Sequence, residues 1–326
     1  MSPAFVNNLF SSGKADFFQN AREVFAYQQK ENEVYRLFTT VLKRGLSSVH
    51  AVTDFPFLPI SFFKTHRVVV SAFEPEQVFE SSGTTKTVQS RHYVKDISVY
   101  EASFLNGFQQ QYGNPAEWCI LGLLPSYLER GQSSLVYMVQ KLMEESNHPL
   151  NGFYLNDYEK LKKTIVETEA AKQKTLLIGV TFALLDFAEE FQVKTNYLTV
   201  METGGMKGRR EELTREEVHQ KLKTGFGISS VHSEYGMTEL LSQAYSIGDG
   251  IFTCPPWMKV LVRDEDDPLT VHTSGKGALN IIDLANLYSC SFIATDDIGE
   301  VFEDGSFRVM GRLDNSDIRG CSLLAL

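Results

Sequence analysis

A cysteine near the end of the chain is the first residue that could do chemistry. Cys321 lies five residues before the last residue, in the segment DIRGCSLLAL. A thiolate is a strong nucleophile, and Arg319, two residues away, would raise the ionised fraction of this thiol. Ten residues lead from Gly311 to Cys321, and at ~3.3 Å per extended residue they would span about 30 Å. The segment therefore suits a mobile acyl carrier, although a surface cysteine without a chemical role has the same pattern.

A second candidate is the stretch FESSGTTKTVQSRHYV, at positions 79–94, where small hydroxylated residues surround a glycine. A tight turn of this composition directs backbone N–H groups and hydroxyls towards an anion, and two basic side chains add positive charge. The stretch is neither a GxxxxGK[ST] loop nor a GxGxxG turn, and Ser/Gly/Thr clusters also occur in ordinary turns. The residues of this predicted phosphate loop are Ser81, Ser82, Gly83, Thr84, Thr85, Lys86 and Arg91.

The third candidate is HSEYGMTELLSQAY, at positions 232–245. Thr238 and Glu239 supply hard oxygen atoms of the kind that Mg²⁺ prefers, and Tyr235 offers a flat face to a nucleobase. The same Thr–Glu pair also fits the N-cap and first-turn acid of a helix that would begin here. Both interpretations stay open at this point.

Two glycines follow the predicted strand NYLTV, in the stretch ETGGMKGR that begins at Glu202. Because glycine lacks a Cβ atom, Gly204 and Gly205 would let the backbone approach a carboxylate or an acyl phosphate closely. A turn that simply ends the strand is an equally good interpretation.

Two histidines flank these stretches. His92 follows the predicted phosphate loop, and His232 opens the third candidate stretch. Either imidazole could assist the departure of a phosphate or orient the acid. A buried histidine with its hydrogen bonds satisfied is an alternative for each.

The elements that must position these residues are short β-branched or leucine-rich runs alternating with helical patterns. This alternation predicts an α/β fold with a largely parallel or mixed sheet. After about residue 250, short strands and turns replace the helices, which indicates a smaller β-rich part. The runs are RVVVSAF, WCILGLL, TLLIGVTFALL, NYLTVMET, MKVLVRD and ALNIIDL, and the helical patterns cover 15–46, 95–112, 133–146, 156–172 and 211–223.

Composition excludes several classes of protein. With 326 residues, 43% of them hydrophobic, the chain can bury a large core. A net charge of −10 would repel a phosphate backbone, so we expect no nucleic-acid partner. The four cysteines show no metal-ligand or disulfide spacing, which favours a cytoplasmic location. No apolar run approaches the ~18 residues that span a bilayer, so we expect no integral membrane association.

Four segments in the same order resemble the signatures of the adenylate-forming enzymes, a superfamily that includes acyl-CoA synthetases and luciferase. They are SSGTT at 81–85, YGMTE at 235–239, TDD at 295–297 and GRLD at 311–314. The resemblance implies ATP and Mg²⁺ as cofactors and an α/β body of sheets packed with helices. It also implies roles for single residues: Tyr235, beside Gly236, stacks on adenine, Thr238 contacts the α-phosphate, Glu239 helps to hold Mg²⁺, and Asp297 binds the ribose hydroxyls with Arg312 nearby.

The chain departs from the superfamily pattern at two places. Other members have Gly and later Pro-Lys after the threonines, so Lys86 or Arg91 is expected to replace that grip on the outer phosphates. Other members also continue into a further domain, whereas this chain stops at Leu326. We therefore expect an adenylate-forming domain over 1–310, followed over 311–326 by a hinge-like segment and a mobile tail that carries Cys321.

Longer segments resemble one branch of the superfamily, the acyl-protein synthetases of the fatty acid reductase complex of bacterial bioluminescence. They are LLPSYLERGQSSL at 123–135, CPPWMKVLVRD at 254–264 and the terminal RGCSLL. This resemblance implies that the enzyme activates a fatty acid with ATP, carries it as a thioester on Cys321 and passes it to a partner reductase. A CoA ligase of the phenylacetate type and a non-catalytic nucleotide- or acyl-binding scaffold are the alternatives.

Overall fold

The computed structural model describes residues 3–10, 17–81, 88–124, 131–155, 157–204 and 213–313. These residues form two compact units. Unit 1 combines the described residues of 1–107, 236–243 and 253–316, and unit 2 combines those of 108–235 and 244–252. The expected division at residue 310 stays a prediction.

The helices and strands of the described residues, in chain order, follow. The helices are α1 (Pro3–Leu9), α2 (Phe17–Glu31), α3 (Glu33–Val41), α4 (Phe62–Thr65), α5 (Ile97–Tyr112), α6 (Ser134–Ser146), α7 (Tyr158–Ala170), α8 (Thr181–Glu190) and α9 (Arg215–Phe226). The strands are β1 (Leu58–Pro59), β2 (Gln77–Glu80), β3 (Arg91–Val94), β4 (Cys119–Leu123), β5 (Gly152–Phe153), β6 (Thr175–Val180), β7 (Leu198–Thr203), β8 (His232–Tyr235), β9 (Ala244–Ser246), β10 (Met258–Arg263), β11 (Val271–His272), β12 (Gly275–Asp283), β13 (Phe292–Val301) and β14 (Phe307–Arg312).

Side-chain caps set the starts of several helices. The Asn32 side chain accepts a hydrogen bond from the backbone N–H of Tyr35 and begins α3. Thr214 and Glu217 form a reciprocal capping box at the start of α9, which satisfies two N–H groups that lack a partner in the first turn. Each of the five predicted helical stretches overlaps an observed helix, although α9 runs three residues beyond the predicted end at 223. No helix in the described ranges is long and apolar enough to cross a membrane.

The sheet of unit 2 has the order β5-β4-β6-β7-β8-β9 and is parallel except for the last pair. Every residue of β4 and β6 is buried. This burial is typical of parallel strands that are covered by helices on both faces, and it explains their continuous apolar sequence. The carboxyl ends of β6, β7 and β8 bring Thr181, Glu202, Thr203 and Glu234 to the same edge.

The larger sheet of unit 1 has the order β1-β13-β12-β10-β11, with β14 on the free side of β13. It is antiparallel apart from the short pair β1–β13, as expected for the β-rich part after residue 250. Its core includes Phe292, which packs against Phe55 at 4.6 Å and stacks on Tyr35 at 5.9 Å between ring centroids. A separate hairpin, β2–β3, carries the two ends of the predicted phosphate loop.

Two of the runs expected as strands differ from the structure. The run TLLIGVTFALL is a strand only as far as Val180, and helix α8 begins at Thr181. The run RVVVSAF does not form a strand: only Val70 forms a bridge, to Asn32. The next residue, Ser71, adopts φ +56°, which ends the extended path.

The alternative in which Thr238 caps a helix is not observed: residues 236–243 form a turn. In a helix capped by Thr238 the N–H of Ser242 would donate to the Thr238 carbonyl oxygen, but here it donates to the Asp283 carboxylate. The predicted α/β class is confirmed.

Candidate functional site

The base of the predicted phosphate loop is closed by two serines of the β2–β3 hairpin. The N–H of Ser81 donates to the Ser90 carbonyl oxygen at 3.1 Å, and the N–H of Ser90 donates to Ser81 Oγ at 3.0 Å. Ser81 therefore fixes where the loop leaves the hairpin. The other predicted residues of this loop, Ser82, Gly83, Thr84, Thr85 and Lys86, lie outside the described residues, as do Gly205 and Cys321.

Arg91 and His92 are neighbours on β3, and their side chains therefore point to opposite faces of the hairpin. Arg91 forms an ion pair with Glu80 across the hairpin, with 3.0 Å between Nε and Oε1, and its side chain is 58% exposed. His92 is buried, and its Nδ1 atom lies 2.8 Å from the carbonyl oxygen of Thr238. A role for Arg91 at the outer phosphates stays a prediction, whereas His92 contacts the second motif directly.

The backbone around Glu239 is held by side chains from the end of β12 and the turn that follows it. Asn286 Nδ2 donates to the Glu239 carbonyl oxygen at 2.7 Å. One carboxylate oxygen of Asp283 accepts from the N–H groups of Leu241 and Ser242, at 2.8 and 3.0 Å. Burial raises the pKa of Asp283 to about 6, although these hydrogen bonds oppose the shift. The segment 236–243 is thus a fixed turn in unit 1.

The burial and the donor atoms of Glu239 bear on whether this residue suits a magnesium ion. Its side chain is fully buried and offers carboxylate oxygens, which Mg²⁺ prefers, and Mg²⁺ is commonly bound by one or two carboxylates together with substrate phosphates. The described residues contain no group of three or more His, Cys, Asp and Glu side chains that could hold a metal. This donor set fits a Mg²⁺ ion that arrives with nucleotide phosphates.

The third and fourth motifs meet on adjacent strands of unit 1. Asp297 on β13 lies directly opposite Arg312 on β14, with 3.4 Å between Oδ1 and Nε, and Arg312 also pairs with Asp296 at 3.2 Å. Arg312 Nη1 is buried and makes no hydrogen bond within the described part of the chain. A buried donor beside an acid suits the oxygen atoms of a ribose or a phosphate.

Arg263 is a buried residue that contacts the third motif at Thr295. Sequence analysis did not identify it. Its guanidinium donates to the carbonyl oxygens of Leu279 and Thr295 and to the side-chain oxygen of Asn280. Burial lowers the pKa of Arg263, while the charges of Asp296 and Asp297 oppose that shift. The signal in the sequence was one arginine at the end of the apolar run MKVLVR, where a buried charge needs partners.

In unit 2, Tyr235 ends β8 and is 2% exposed. Its ring packs against Phe252, with 5.8 Å between centroids. Phe252 in turn lies under the guanidinium of Arg215, 5.4 Å away. Stacking of Tyr235 on adenine stays a prediction. Gly236 and the rest of the segment YGMTE are described with unit 1.

Gly204 directly follows β7 and adopts φ +75°, a conformation that favours glycine. Its carbonyl oxygen accepts a hydrogen bond of 2.5 Å from Thr181 Oγ1. The structure therefore shows the strand-ending turn directly, and a role for Gly204 beside a nucleotide or acyl group stays a prediction.

Glu202, at the end of β7, is the centre of a buried ion pair. Arg215 Nη1 lies 3.1 Å from Glu202 Oε1, and His219 Nε2 lies 3.7 Å from the same oxygen. Burial acts to raise the pKa of Glu202, but the charges and hydrogen bonds of Arg215 and His219 outweigh it and lower the pKa. Arg215 thus joins the end of β7 to the start of α9.

Glu234 is a second acid at this edge that sequence analysis missed. Thr203 Oγ1 donates to Glu234 Oε2 at 2.6 Å. Burial raises the pKa of Glu234 to about 7, the negative charge of Glu202 adds to the shift, and the Thr203 hydrogen bond opposes it. The signal in the sequence was a glutamate inside the short strand HSEY, where a buried acid needs a partner.

The chain matches known proteins along almost its whole length. A family model described as acyl-protein synthetase, LuxE, matches residues 14–325. A protein from Aliivibrio fischeri named long-chain-fatty-acid–luciferin-component ligase is 24% identical over 330 residues, covering 93% of this chain and 85% of that protein. A protein of the same name from Vibrio harveyi is 24% identical over 323 residues, covering 92% and 84%.

Solved structures with a similar fold include two enzymes named as a CoA ligase and a coenzyme A synthetase. An open conformation of 2-hydroxyisobutyryl-CoA ligase, in complex with 2-HIB-AMP and CoA, has a TM-score of 0.71 at 12% identity and covers 94% of this chain and 71% of that chain. O-succinylbenzoate coenzyme A synthetase from Bacillus subtilis, in complex with ATP and magnesium ion, has a TM-score of 0.52 at 14% identity and covers 74% and 52%. The fold is that of the adenylate-forming ligases, and the match over residues 14–325 places the chain in the LuxE family of acyl-protein synthetases.

Proposed function

We propose that the protein activates a fatty acid with ATP and transfers the acyl group to a protein cysteine, its own Cys321. The family supports an acyl-protein synthetase. The names of the two relatives, which join a long-chain fatty acid to a luciferin component, support a fatty acid as the substrate. From Cys321 the acyl group would pass to a partner reductase.

The first step joins the fatty acid to the nucleotide. A carboxylate oxygen of the fatty acid attacks the α-phosphorus of ATP, a new P–O bond forms, and the bond to pyrophosphate breaks. The carboxylate is already ionised, so this step needs no general base. Asp297 and Arg312 would bind the ribose, and Thr238 would contact the α-phosphate. Glu239 would hold Mg²⁺, which neutralises charge as pyrophosphate leaves.

The second step moves the acyl group to sulfur. The thiolate of Cys321 attacks the acyl carbon, a C–S bond forms, and the C–O bond to AMP breaks, so AMP leaves and a thioester remains. The thiol proton is released to solvent before the attack. The ten residues between Gly311 and Cys321 can span about 30 Å when extended, a distance suited to a carrier that visits more than one site.

The pairing of Asp297 with Arg312 is the observation that carries the nucleotide part of this proposal. Two segments that resemble separate motifs of the superfamily meet as register partners, with 3.4 Å between Asp297 Oδ1 and Arg312 Nε. Both side chains are largely buried, so their charges are poorly screened by water. Chance matches to short motifs would have no reason to pair in this way.

The test is to incubate the protein with ATP, Mg²⁺ and a labelled fatty acid, and to follow pyrophosphate exchange and protein labelling. We expect a hydroxylamine-sensitive adduct on the last peptide. Cys321→Ser should keep pyrophosphate exchange and lose the adduct, while Cys254→Ser, at a partly exposed cysteine, should keep both.

Three outcomes would overturn the proposal. Cys321→Ser that still loads label at the native rate would exclude this cysteine as the acceptor. Label that appears only as acyl-CoA when CoA is added would identify a CoA ligase. ATP binding without pyrophosphate exchange would identify a scaffold.

A further inference from the structure

We infer that His92 is a positioning residue, which fixes the Thr238–Glu239 peptide relative to the hairpin that carries the predicted phosphate loop. The inference deepens the proposed function and rests on it in one respect: residues 82–87 are taken to bind the phosphates of ATP. The contact itself is a property of unit 1 alone.

The hairpin side of this contact is rigid. The mutual hydrogen bonds of Ser81 and Ser90 close the base of the loop, and His92 follows two residues later on β3. The imidazole is 1% exposed and packs edge-on against Phe63, with 5.9 Å between ring centroids. Because the ring is enclosed, its orientation is set by packing as well as by its hydrogen bond.

The other side of the contact is the backbone of the second motif. His92 Nδ1 lies 2.8 Å from the carbonyl oxygen of Thr238, and the next carbonyl oxygen, that of Glu239, accepts from Asn286 at 2.7 Å. Asp283 ends β12 and Asn286 lies in the turn that follows, whereas His92 belongs to the hairpin. His92 therefore joins the first motif to the second.

The tautomer of His92 follows from its partner. A carbonyl oxygen can only accept a hydrogen bond, so Nδ1 must carry the proton. Burial lowers the pKa of His92, while its hydrogen bonds with Thr238 and Asn286 and the charge of Glu239 oppose this shift. The contact with the Thr238 carbonyl oxygen therefore assigns a proton to Nδ1.

The functional consequence concerns the distance between phosphate-binding groups. Under the proposed function, Thr238, Glu239 and the loop bind one ATP molecule, and a misplacement of ~1 Å in such a site can lower the rate about 10²-fold. Loss of the His92 donor should therefore lower kcat for adenylation and leave KM for the fatty acid nearly unchanged, since the His92 side chain is buried and is not expected to contact that substrate.

The experiment compares His92→Asn with His92→Leu. The Asn side chain places an amide N–H at the position of Nδ1, and the Leu side chain fills similar space without a donor. His272→Leu, at an exposed histidine, is the control. The measurements are hydrogen exchange of residues 236–243 in the nucleotide-free protein, and kcat and KM for fatty-acid-dependent pyrophosphate exchange.

In His92→Leu, we expect the amides of residues 236–243 to exchange faster and kcat to fall by about tenfold or more. In His92→Asn, we expect the exchange and kcat to stay near their wild-type values. The inference would be overturned if His92→Leu kept the exchange protection and the kcat of the wild-type protein. It would also be overturned if His92→Asn folded but lost as much protection and kcat as His92→Leu. Hydrogen exchange needs no turnover, so it decides the contact even if the wild-type protein fails to activate a fatty acid.

A measurement on the wild-type protein covers the case in which His92→Leu does not fold. Selective ¹⁵N labelling of histidine reports which ring nitrogen carries the proton. We expect the Nδ1–H form for His92 at pH 7. The Nε2–H form would overturn the inference, because Nδ1 would then have no proton to donate to Thr238.

Discussion

Asp297 and Arg312 lie opposite each other on β13 and β14 and form an ion pair in which Arg312 is 6% and Asp297 9% exposed. Arg312 also pairs with Asp296, so one guanidinium compensates two acids. The positive charge of Arg312 therefore has two roles. It stabilises the pairing of β13 with β14, and under the proposed function it binds the nucleotide.

Arg312→Ala should weaken both properties. Removing one partner of a buried pair leaves uncompensated charge, and we expect the free energy of unfolding to fall by about 3 kcal/mol. ATP affinity, measured by calorimetry with Mg²⁺, should fall by about tenfold or more. Arg308→Ala, at an exposed position of the same strand, is the control and should change neither. Native ATP affinity in Arg312→Ala would contradict the assigned role.

Asp283→Asn should destabilise the turn that carries Thr238 and Glu239. Asp283 accepts two backbone hydrogen bonds on one oxygen and those of Ser242 Oγ and Ala285 on the other. Asparagine replaces one oxygen with an NH₂ group, so two donors lose their acceptor, at a cost of about 3 kcal/mol in all.

Urea unfolding at pH 8, where Asp283 is ionised, measures this cost. Asp266→Asn, at an exposed acid, should lie within about 0.5 kcal/mol of wild type. A similarly small effect of Asp283→Asn would show that the turn does not depend on this carboxylate.

The ion pair of Glu202 and Arg215 should contribute far more than a surface pair at a similar distance. Its side chains are 4% and 11% exposed, with 3.1 Å between charged atoms. Lys174 and Glu117 are 2.6 Å apart but more than half exposed. We expect Arg215→Ala to cost about 3–5 kcal/mol, because Glu202 would remain buried without compensation, and Lys174→Ala to cost at most about 1 kcal/mol.

A double-mutant cycle with Glu202→Gln separates the pair from the packing of Arg215 on Phe252. If Arg215→Ala costs as much in the Glu202→Gln background as in wild type, the contact with Phe252 and not the ion pair accounts for the loss.

Glu234 should make the stability of the protein depend on pH. Its pKa rises from the ordinary value of 4.5 to about 7 in the folded protein. Between these values the folded state binds a proton that the unfolded state does not, so the free energy of unfolding falls as the pH rises from about 4.5 to 7. The contribution of this group is about 3 kcal/mol at most.

The difference between Glu234→Gln and wild type isolates this contribution, since glutamine does not titrate. We expect Glu234→Gln to gain stability relative to wild type as the pH rises through this window, and Glu216→Gln, at an exposed acid, to show no such trend. A flat difference for Glu234→Gln would mean that the carboxyl ionises normally in the fold.

The α/β class and the family were predictable from the sequence, because they depend on short segments and on the period of apolar residues. The alternative of a helix capped by Thr238 is not observed, because Asp283 captures the Ser242 N–H that such a helix would use. That acid is 41 to 45 positions away in the sequence, and no local pattern reveals it.

The residue types that carry the chemistry, their order along the chain and the family resemblance were all determined by the sequence. Tertiary structure alone decided that Asp297 faces Arg312, that His92 and not Arg91 contacts Thr238, and that Glu234 lies beside Glu202 in a buried place. The physical reason is that strand pairing and burial depend on residues far apart in the chain, and these set the partners, the screening and the pKa of each charged group.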